Sequence, residues 1–257
     1  MLIKMTIEDG IARVTIDRPE KRNAVDVETH EALRALWPVL EQDAGVRVIV
    51  LTGSGRDSFC AGADIRSFLP YLRESIAAGR DPGDFCGLTH RRLSKPVIAA
   101  INGAALGGGL ELALAADIRI AADHATFGLP EVRLGAIAGA GGVTRLPREI
   151  PPAVARDMIL TGRTISAERA WQLGLVSEIV PVAELYEAAM RLGRMIADNS
   201  PTAVSHCREI LYRIDGLPEV EALRIERDAF RNATESEDFA IGIASFAAGD
   251  KPRFPGR

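Results

Sequence analysis

Glu111 has no ionisable neighbour anywhere between Lys95 and Asp117, and it follows closely on the triplet Gly107-Gly108-Gly109. A carboxylate in an apolar run loses hydration, so its pKa climbs as water leaves unless a partner compensates. Such a group is either neutralised by an ion pair in the core or held ready for proton transfer. A second glutamate, Glu131, follows downstream. The glycines let backbone N–H groups approach a ligand closely, and Leu110-Glu111-Leu112-Ala113-Leu114-Ala115-Ala116 predicts a helix whose first N–H groups lack intrahelical acceptors. Donors of that kind stabilise a developing oxyanion, each contributing ~3–4 kcal/mol in the transition state. The small-residue stretch Ala61-Gly62-Ala63 offers a second set of N–H groups, and two converging donors would complete an oxyanion hole.

Other chemistries find less support. Gly107-Gly108-Gly109 lacks the dinucleotide-binding spacing, with Leu112 where a third glycine belongs, and Gly139-Ala140-Gly141-Gly142 fails in the same way at Thr144. Neither a phosphate-binding loop nor a nucleophile elbow is present. His30, His90, His124 and His206 are scattered without ligand spacing, so no metal site is expected. Cys60 has no histidine close in sequence to activate it and reads as a small buried side chain.

The elements that must position these groups are readable from periodicity. Ile3 to Glu8 and Ile11 to Asp17 alternate around Asp9-Gly10, which predicts a two-residue hairpin. Val27 to Leu40 has helical spacing that Pro38 should kink or end, and Val46 to Thr52 predicts a buried strand followed by a glycine-bearing loop over Gly53 to Gly62. From Asp64 to Leu93, helical patches broken by Gly79, Asp81-Pro82-Gly83 and Gly87 suggest a mobile cover. Short strands are expected at Val97 to Ile101, Asp117 to Ala121, Ala125 to Phe127 and Val176 to Val180. Helices are expected over Val182 to Ala197, Pro201 to Ile214, Pro218 to Asn232 and Ser236 to Ala248, with more apolar faces than so small a region can cover itself.

The 257 residues suffice for one substantial core. A net charge of −4, with no basic stretch interleaved with aromatics, gives no support to nucleic-acid binding. Pro96 to Ala116 is interrupted by Asn102, Glu111 and several glycines, so it reads as buried core and not as a membrane span. The first residues lack the pattern of a secretory signal, and three widely spaced cysteines suit a reducing compartment, so a cytoplasmic protein without disulfides is expected.

Three stretches carry a resemblance: Ser58-Phe59-Cys60-Ala61-Gly62-Ala63-Asp64; the run from Lys95-Pro96-Val97 through Ile101-Asn102-Gly103-Ala104-Ala105-Leu106-Gly107-Gly108-Gly109-Leu110-Glu111-Leu112-Ala113; and Phe127-Gly128-Leu129-Pro130-Glu131. Together they resemble the enoyl-CoA hydratase/isomerase (crotonase) superfamily. The likeness begins at Arg18-Pro19-Glu20-Lys21-Arg22-Asn23-Ala24 and runs through Leu160-Thr161-Gly162-Arg163 and Gly174-Leu175-Val176 to Phe246.

The resemblance implies an α/β (α+β) spiral of β-β-α units over residues 1–197, carrying the coenzyme A and active sites. Residues 198–257 would form a helical region that mediates a homotrimer or dimer of trimers. It implies that the N–H groups of Ala63 and Gly108 form the oxyanion hole, and that Arg22, Ala24, Ala61, Asp64 and Ile65 lie in the segments that contact the coenzyme A nucleotide. Glu111 and Glu131 match both carboxylates of the hydratase members, whereas many isomerases lose or move one. Glu111 is thus expected to orient and activate water and Glu131 to protonate Cα of a trans-2-enoyl thioester, with coenzyme A entering only as part of the substrate. Two carboxyls gripping one water resist double ionisation, so they can divide those roles near neutral pH.

Departures from the family pattern are Ala138, where a proline is frequent, and Gly249, where a lysine is common, with Lys251 close by. Leu129-Pro130-Glu131, Gly142-Val143-Thr144-Arg145-Leu146-Pro147, Pro151-Pro152, Ser236-Glu237-Asp238 and Gly256-Arg257 resemble the crotonobetainyl-CoA hydratase (carnitinyl-CoA dehydratase) branch. A trimethylammonium substrate would want aromatic or anionic walls, for which Phe68, Tyr71 and Phe85 are candidates that equally suit an acyl tunnel. An isomerase and a non-catalytic, RNA-binding member are the alternatives.

Overall fold

Asp9 and Gly10 both take positive φ, 51° and 77°, as the tight hairpin turn requires. They join β1 (Ile3–Glu8) to β2 (Ile11–Ile16), which pair antiparallel with Glu8 opposite Ile11. The computed structural model describes residues 2–80 and 84–256, so the break expected at Asp81-Pro82-Gly83 lies outside the described residues. Asp26 caps α1 (Val27–Gln42), its Oδ1 accepting from the Thr29 N–H at 2.9 Å. Of the two outcomes expected at Pro38, a kink or an end, the helix does not take the second and runs on to Gln42. Burial of Leu33, Trp37 and Leu40 along one face outweighs the single hydrogen bond that the proline removes.

After α1 the chain steps between two sheets. β3 (Val48–Gly53) lies in the large sheet and β4 (Ser58–Cys60) in a smaller one, followed by α2 (Phe68–Ala77). β5 (Val97–Ile101) and β6 (Ala104–Leu106) repeat the step before α3 (Gly108–Ala115), and β7 (Ile118–Ala122) and β8 (Thr126–Gly128) repeat it again. This is the spiral of β-β-α units that the resemblance implies. The second sheet was not expected as such: β4 lies inside the segment read as a loop, and β6 inside the buried apolar run. A three-residue strand is too short to show a period of two.

Then follow α4 (Gly142–Glu149), α5 (Pro152–Thr161), β9 (Thr164–Ser166), α6 (Ala167–Gln172), β10 (Glu178–Val180) and α7 (Leu185–Ala197). The large sheet has the order β1-β2-β3-β5-β7-β10 and the small one β4-β6-β8-β9. Strand residues alternate between two cores. Val48, Val50, Ile98 and Ala100 meet Leu185, Ala189 and Met190 of α7, while Ile49, Leu51, Ala99 and Ile101 join the main core with Leu33 and Trp37. The chain closes with α8 (Pro201–Arg213), α9 (Glu219–Thr234) and α10 (Glu237–Ala248). Among the described residues no helix is long and apolar enough to cross a membrane.

Two buried amides fix the loops beside the small sheet. Asn23 donates to the Ser54 and Ser58 carbonyls, and Asn102 donates to those of Gly55 and Ser58 while accepting from the Gly53 N–H at 3.0 Å. Their donors are satisfied, and these bonds hold the loops between β3 and β4 and after β5 in register.

Candidate active site

The first turn of α3 packs on the end of β4 with no room for side chains. A Cβ on Gly109 would lie 1.9 Å from the Cys60 carbonyl oxygen, and one on Gly62 would lie 3.2 Å from the Gly108 nitrogen. The triplet is therefore a close-approach device, and Gly107 also needs its positive φ of 55° to turn from β6 into the helix. The approach brings Gly62-Ala63 beside Gly107-Gly108. Ala63 forms a parallel bridge with Val25 through the Val25 N–H to Gly62 O at 2.8 Å and the Asp64 N–H to Val25 O at 2.7 Å. That pairing does not use the Ala63 N–H, and the Gly108 N–H opens the helix, where no intrahelical acceptor exists.

Glu111, one turn in, is 4% exposed. Its Oε1 accepts from the N–H groups of Ala140 at 2.7 Å and Gly142 at 2.8 Å. Burial raises its pKa, while those two donors and the nearby Arg145 and His90 side chains pull the other way. Among the described residues no side-chain cation pairs with it, so backbone N–H groups and not a core salt bridge hold this carboxyl. Glu131 sits in the helical turn Pro130–Leu134 that follows β8. A Cβ on Gly107 would lie 2.8 Å from its Oε1, so this carboxyl stands over the glycine that precedes Gly108. Its Oε2 is buried without a hydrogen-bond partner. Burial pushes Glu131 up to about 7, and the Glu111 charge adds to the rise. The two carboxyls therefore feel each other across the entrance to α3.

Phe85 closes the site from the other side, its ring edge 2.7 Å from where a Gly108 Cβ would stand. The ring packs edge-to-face with Phe68, centroids 5.4 Å apart. Tyr71 instead reaches Glu31 with its hydroxyl at 3.1 Å, so of the three aromatic candidates Phe85 is the one that meets Gly108. The turn Phe85–Gly87 is held by the Trp37 indole N–H donating to Cys86 O at 2.7 Å and by the Cys86 N–H donating to His30 Nδ1 at 3.0 Å. Cys60 lies in strand β4, not in a loop. Its thiol is fully buried and pushed up to about 12, which suits packing and not nucleophilic attack.

The expected nucleotide segments run together along one edge of this site. The Ala61 N–H donates to Arg22 O at 3.1 Å, and the Arg18 guanidinium reaches Asp26 at 2.9 Å and Asp64 at 3.7 Å and also donates to the Ala24 carbonyl. Arg22 takes a left-handed conformation, and Ile65 is exposed. Lys251 pairs with Asp198 at 2.7 Å on its own chain. Gly139-Ala140-Gly141-Gly142 and Arg145 stand in stretches read for nucleotide-loop spacing, for the missing proline at Ala138 and for likeness to the crotonobetainyl-CoA hydratase branch, but the closure of the Ala140 and Gly142 N–H groups on Glu111 was not expected.

The family model for enoyl-CoA hydratase/isomerase matches residues 6–257. The chain belongs to the enoyl-CoA hydratase/isomerase family. Carnitinyl-CoA dehydratase of Escherichia coli (strain K12) is 38% identical over 260 residues, covering 99% of this chain and 98% of that protein. The solved enoyl-CoA hydratase of Bacillus anthracis superposes with a TM-score of 0.92 at 35% identity, covering 100% of both chains. Carnitinyl-CoA hydratase of Mycobacterium avium superposes with a TM-score of 0.74 at 38% identity, covering 100% of this chain and 99% of that one. The expectations of a crotonase-family enzyme and of its fold are borne out.

Proposed function

We propose that the protein is a 2-enoyl-CoA hydratase that adds water reversibly and syn across the Cα=Cβ bond of a trans-2-enoyl thioester, giving the 3-hydroxyacyl-CoA. The observation that carries this reading is the pair of buried carboxyls, Glu111 and Glu131, beside the Gly108 N–H. Glu111, whose ionised form is held by two backbone donors, takes a proton from the attacking water. Glu131, with its carboxyl near 7, keeps a proton at neutral pH and delivers it to Cα. The enolate that develops on the thioester oxygen rests on the Ala63 and Gly108 N–H groups. Hydration is redox-neutral, so coenzyme A enters only as the substrate's handle, against Arg22, Ala24, Ala61, Asp64 and Ile65. Isomerisation would use one carboxyl, and the presence of two favours hydration.

The second reading is crotonobetainyl-CoA as the substrate, the dehydration of carnitinyl-CoA being the reverse reaction. It is favoured by the near full-length likeness to proteins named carnitinyl-CoA dehydratase. The test is a panel that follows loss of enoyl-thioester absorbance with crotonyl, longer enoyl and crotonobetainyl thioesters, with oxygen-18 from solvent traced into the product. Label in the 3-hydroxyacyl product is expected; bond migration without label would make the protein an isomerase. Salt-sensitive RNA retention on a filter without thioester turnover would favour a non-catalytic role. Glu111→Gln and Glu131→Gln should each lower kcat by ~10² or more with little change in thioester affinity. Near-normal turnover in either variant removes that residue from the mechanism.

A further inference from the structure

Arg145 lies one turn into α4, behind the loop that grips Glu111. Its Nη1 donates to the Ala140 carbonyl at 3.1 Å, and the Ala140 N–H in turn donates to Glu111 Oε1 at 2.7 Å. Its Nη2 donates to the Thr89 carbonyl, while Thr89 Oγ1 accepts from the Phe85 N–H at 2.8 Å. A single guanidinium thus spans the two walls of the site, the loop on Glu111 and the turn that sets Phe85 against Gly108. The fit is tight and depends on a glycine: a Cβ on Gly141, whose φ is 109°, would fall 1.9 Å from Nη1. The planar fork presents Nη1 and Nη2 in a fixed geometry, each aimed at one of the two carbonyls, whereas the single nitrogen of an ammonium would have to sit within reach of both.

We propose that Arg145 is a positioning residue of the hydration site, tying the Ala140 loop to the Phe85 turn and setting a positive charge behind the Glu111 carboxyl. The inference rests on the hydratase reading for its effect on turnover. Its effect on Glu111 stands apart from that reading. The charged or titratable groups that face Glu111 are Arg145, His90 and Glu131, and those around Arg145 itself are Tyr212, Arg148 and Glu149. Removing the Arg145 charge withdraws one of the influences that hold Glu111 down, so its carboxyl should ionise at higher pH.

The experiment compares Arg145→Gln and Arg145→Lys with the unaltered protein, using crotonyl-CoA turnover across pH and infrared titration of the Glu111 carboxyl identified by its loss in Glu111→Gln. In Arg145→Gln the Glu111 midpoint should rise by about 0.5 pH unit or more. Its kcat should fall about tenfold or more because the water is misplaced, while KM stays within about threefold. Arg145→Lys should restore the midpoint and leave kcat low, since charge returns without the second carbonyl contact. A folded Arg145→Gln protein with unaltered midpoint and kcat overturns the proposal. Should that variant fail to fold, Arg145→Lys decides: full kcat there overturns the tie, and a lowered kcat with an unaltered midpoint supports it. Absence of turnover of crotonyl, longer enoyl and crotonobetainyl thioesters alike in the unaltered protein would sink the hydratase reading alone, because the infrared midpoints still report on Arg145.

Discussion

A carboxyl buried beside another carboxyl gives up its proton late, and Glu131 is such a group, raised to about 7 by loss of water and then by Glu111. In the proposed mechanism the pair must hold one proton between them, whichever direction the reaction runs. The falling limb of kcat/KM should therefore lie near pH 7 and be the same for hydration and dehydration, as measured by initial rates in both directions from pH 5 to 9. A kcat/KM that stays level from pH 5 to 9 would contradict the shared proton. The same shift acts on stability. Because the folded pKa lies above the ordinary 4.5, the folded chain binds more protons between about 4.5 and 7, and stability from this group is lost as pH rises through that window. Glu131→Gln should consequently gain in melting temperature over the unaltered protein as pH rises from 5 to 8, with little difference below 4.5.

At the scale of elements, the site depends on how closely α3 approaches β4. The helix opens on glycines because the Cys60 carbonyl, the Phe85 ring and the Glu131 carboxyl each occupy the place of a Cβ, at Gly109, Gly108 and Gly107 in turn. Gly109→Ala meets rigid backbone and must push the two elements apart, so it should destabilise by about 2–3 kcal/mol or more in urea unfolding. Gly108→Ala meets an aromatic edge that can swing, so it should fold with a smaller loss of stability, while kcat drops if the Gly108 N–H is the oxyanion donor that the proposed mechanism makes it. Equal stability losses in the two variants would show that backbone packing does not distinguish these positions. The triplet was legible in the sequence as a place of close approach. What it approaches was not, since Cys60 and Gly109 are far apart in the chain and meet only because consecutive strand pairs alternate between two sheets.

For the whole molecule, α7 seals the outer face of the large sheet, and α8 is fastened to it by a buried cluster. Arg208 donates to both carboxylate oxygens of Asp117 at 2.8 Å and also to the Leu93 carbonyl, Tyr212 donates to Asp117 at 3.0 Å, and Asp117 receives the Val97 N–H at 2.7 Å. Beyond α8 the character changes. Phe230 on α9 and Phe239, Ile243 and Phe246 on α10 are all exposed, Phe246 by 89%, on helices whose packing leaves these faces bare. Apolar area of that kind calls for a covering surface. The family resemblance implies that the covering surface is a neighbouring copy in a homotrimer or dimer of trimers, for which sedimentation equilibrium should report a multiple of three times 27.6 kDa. Phe246→Asp should shift the species toward monomer. A native monomer at micromolar concentration would remove the C-terminal helices from that role.

The sequence by itself determined the hairpin, the long helices, the placement of Glu111 on a glycine-led helix, and the family, because turn chemistry, helical period and local motifs are encoded in contiguous residues. It did not show the small sheet, whose three-residue strands carry too few positions for a period, nor whether α1 would end at Pro38 or continue past it. Tertiary structure alone decided that Ala140 and Gly142 close on Glu111, that Glu131 stands over Gly107, and that Arg145 joins the two walls. These relations depend on which backbones are brought within hydrogen-bond reach, and pairwise reach across the fold is set by the packing of distant segments against one another.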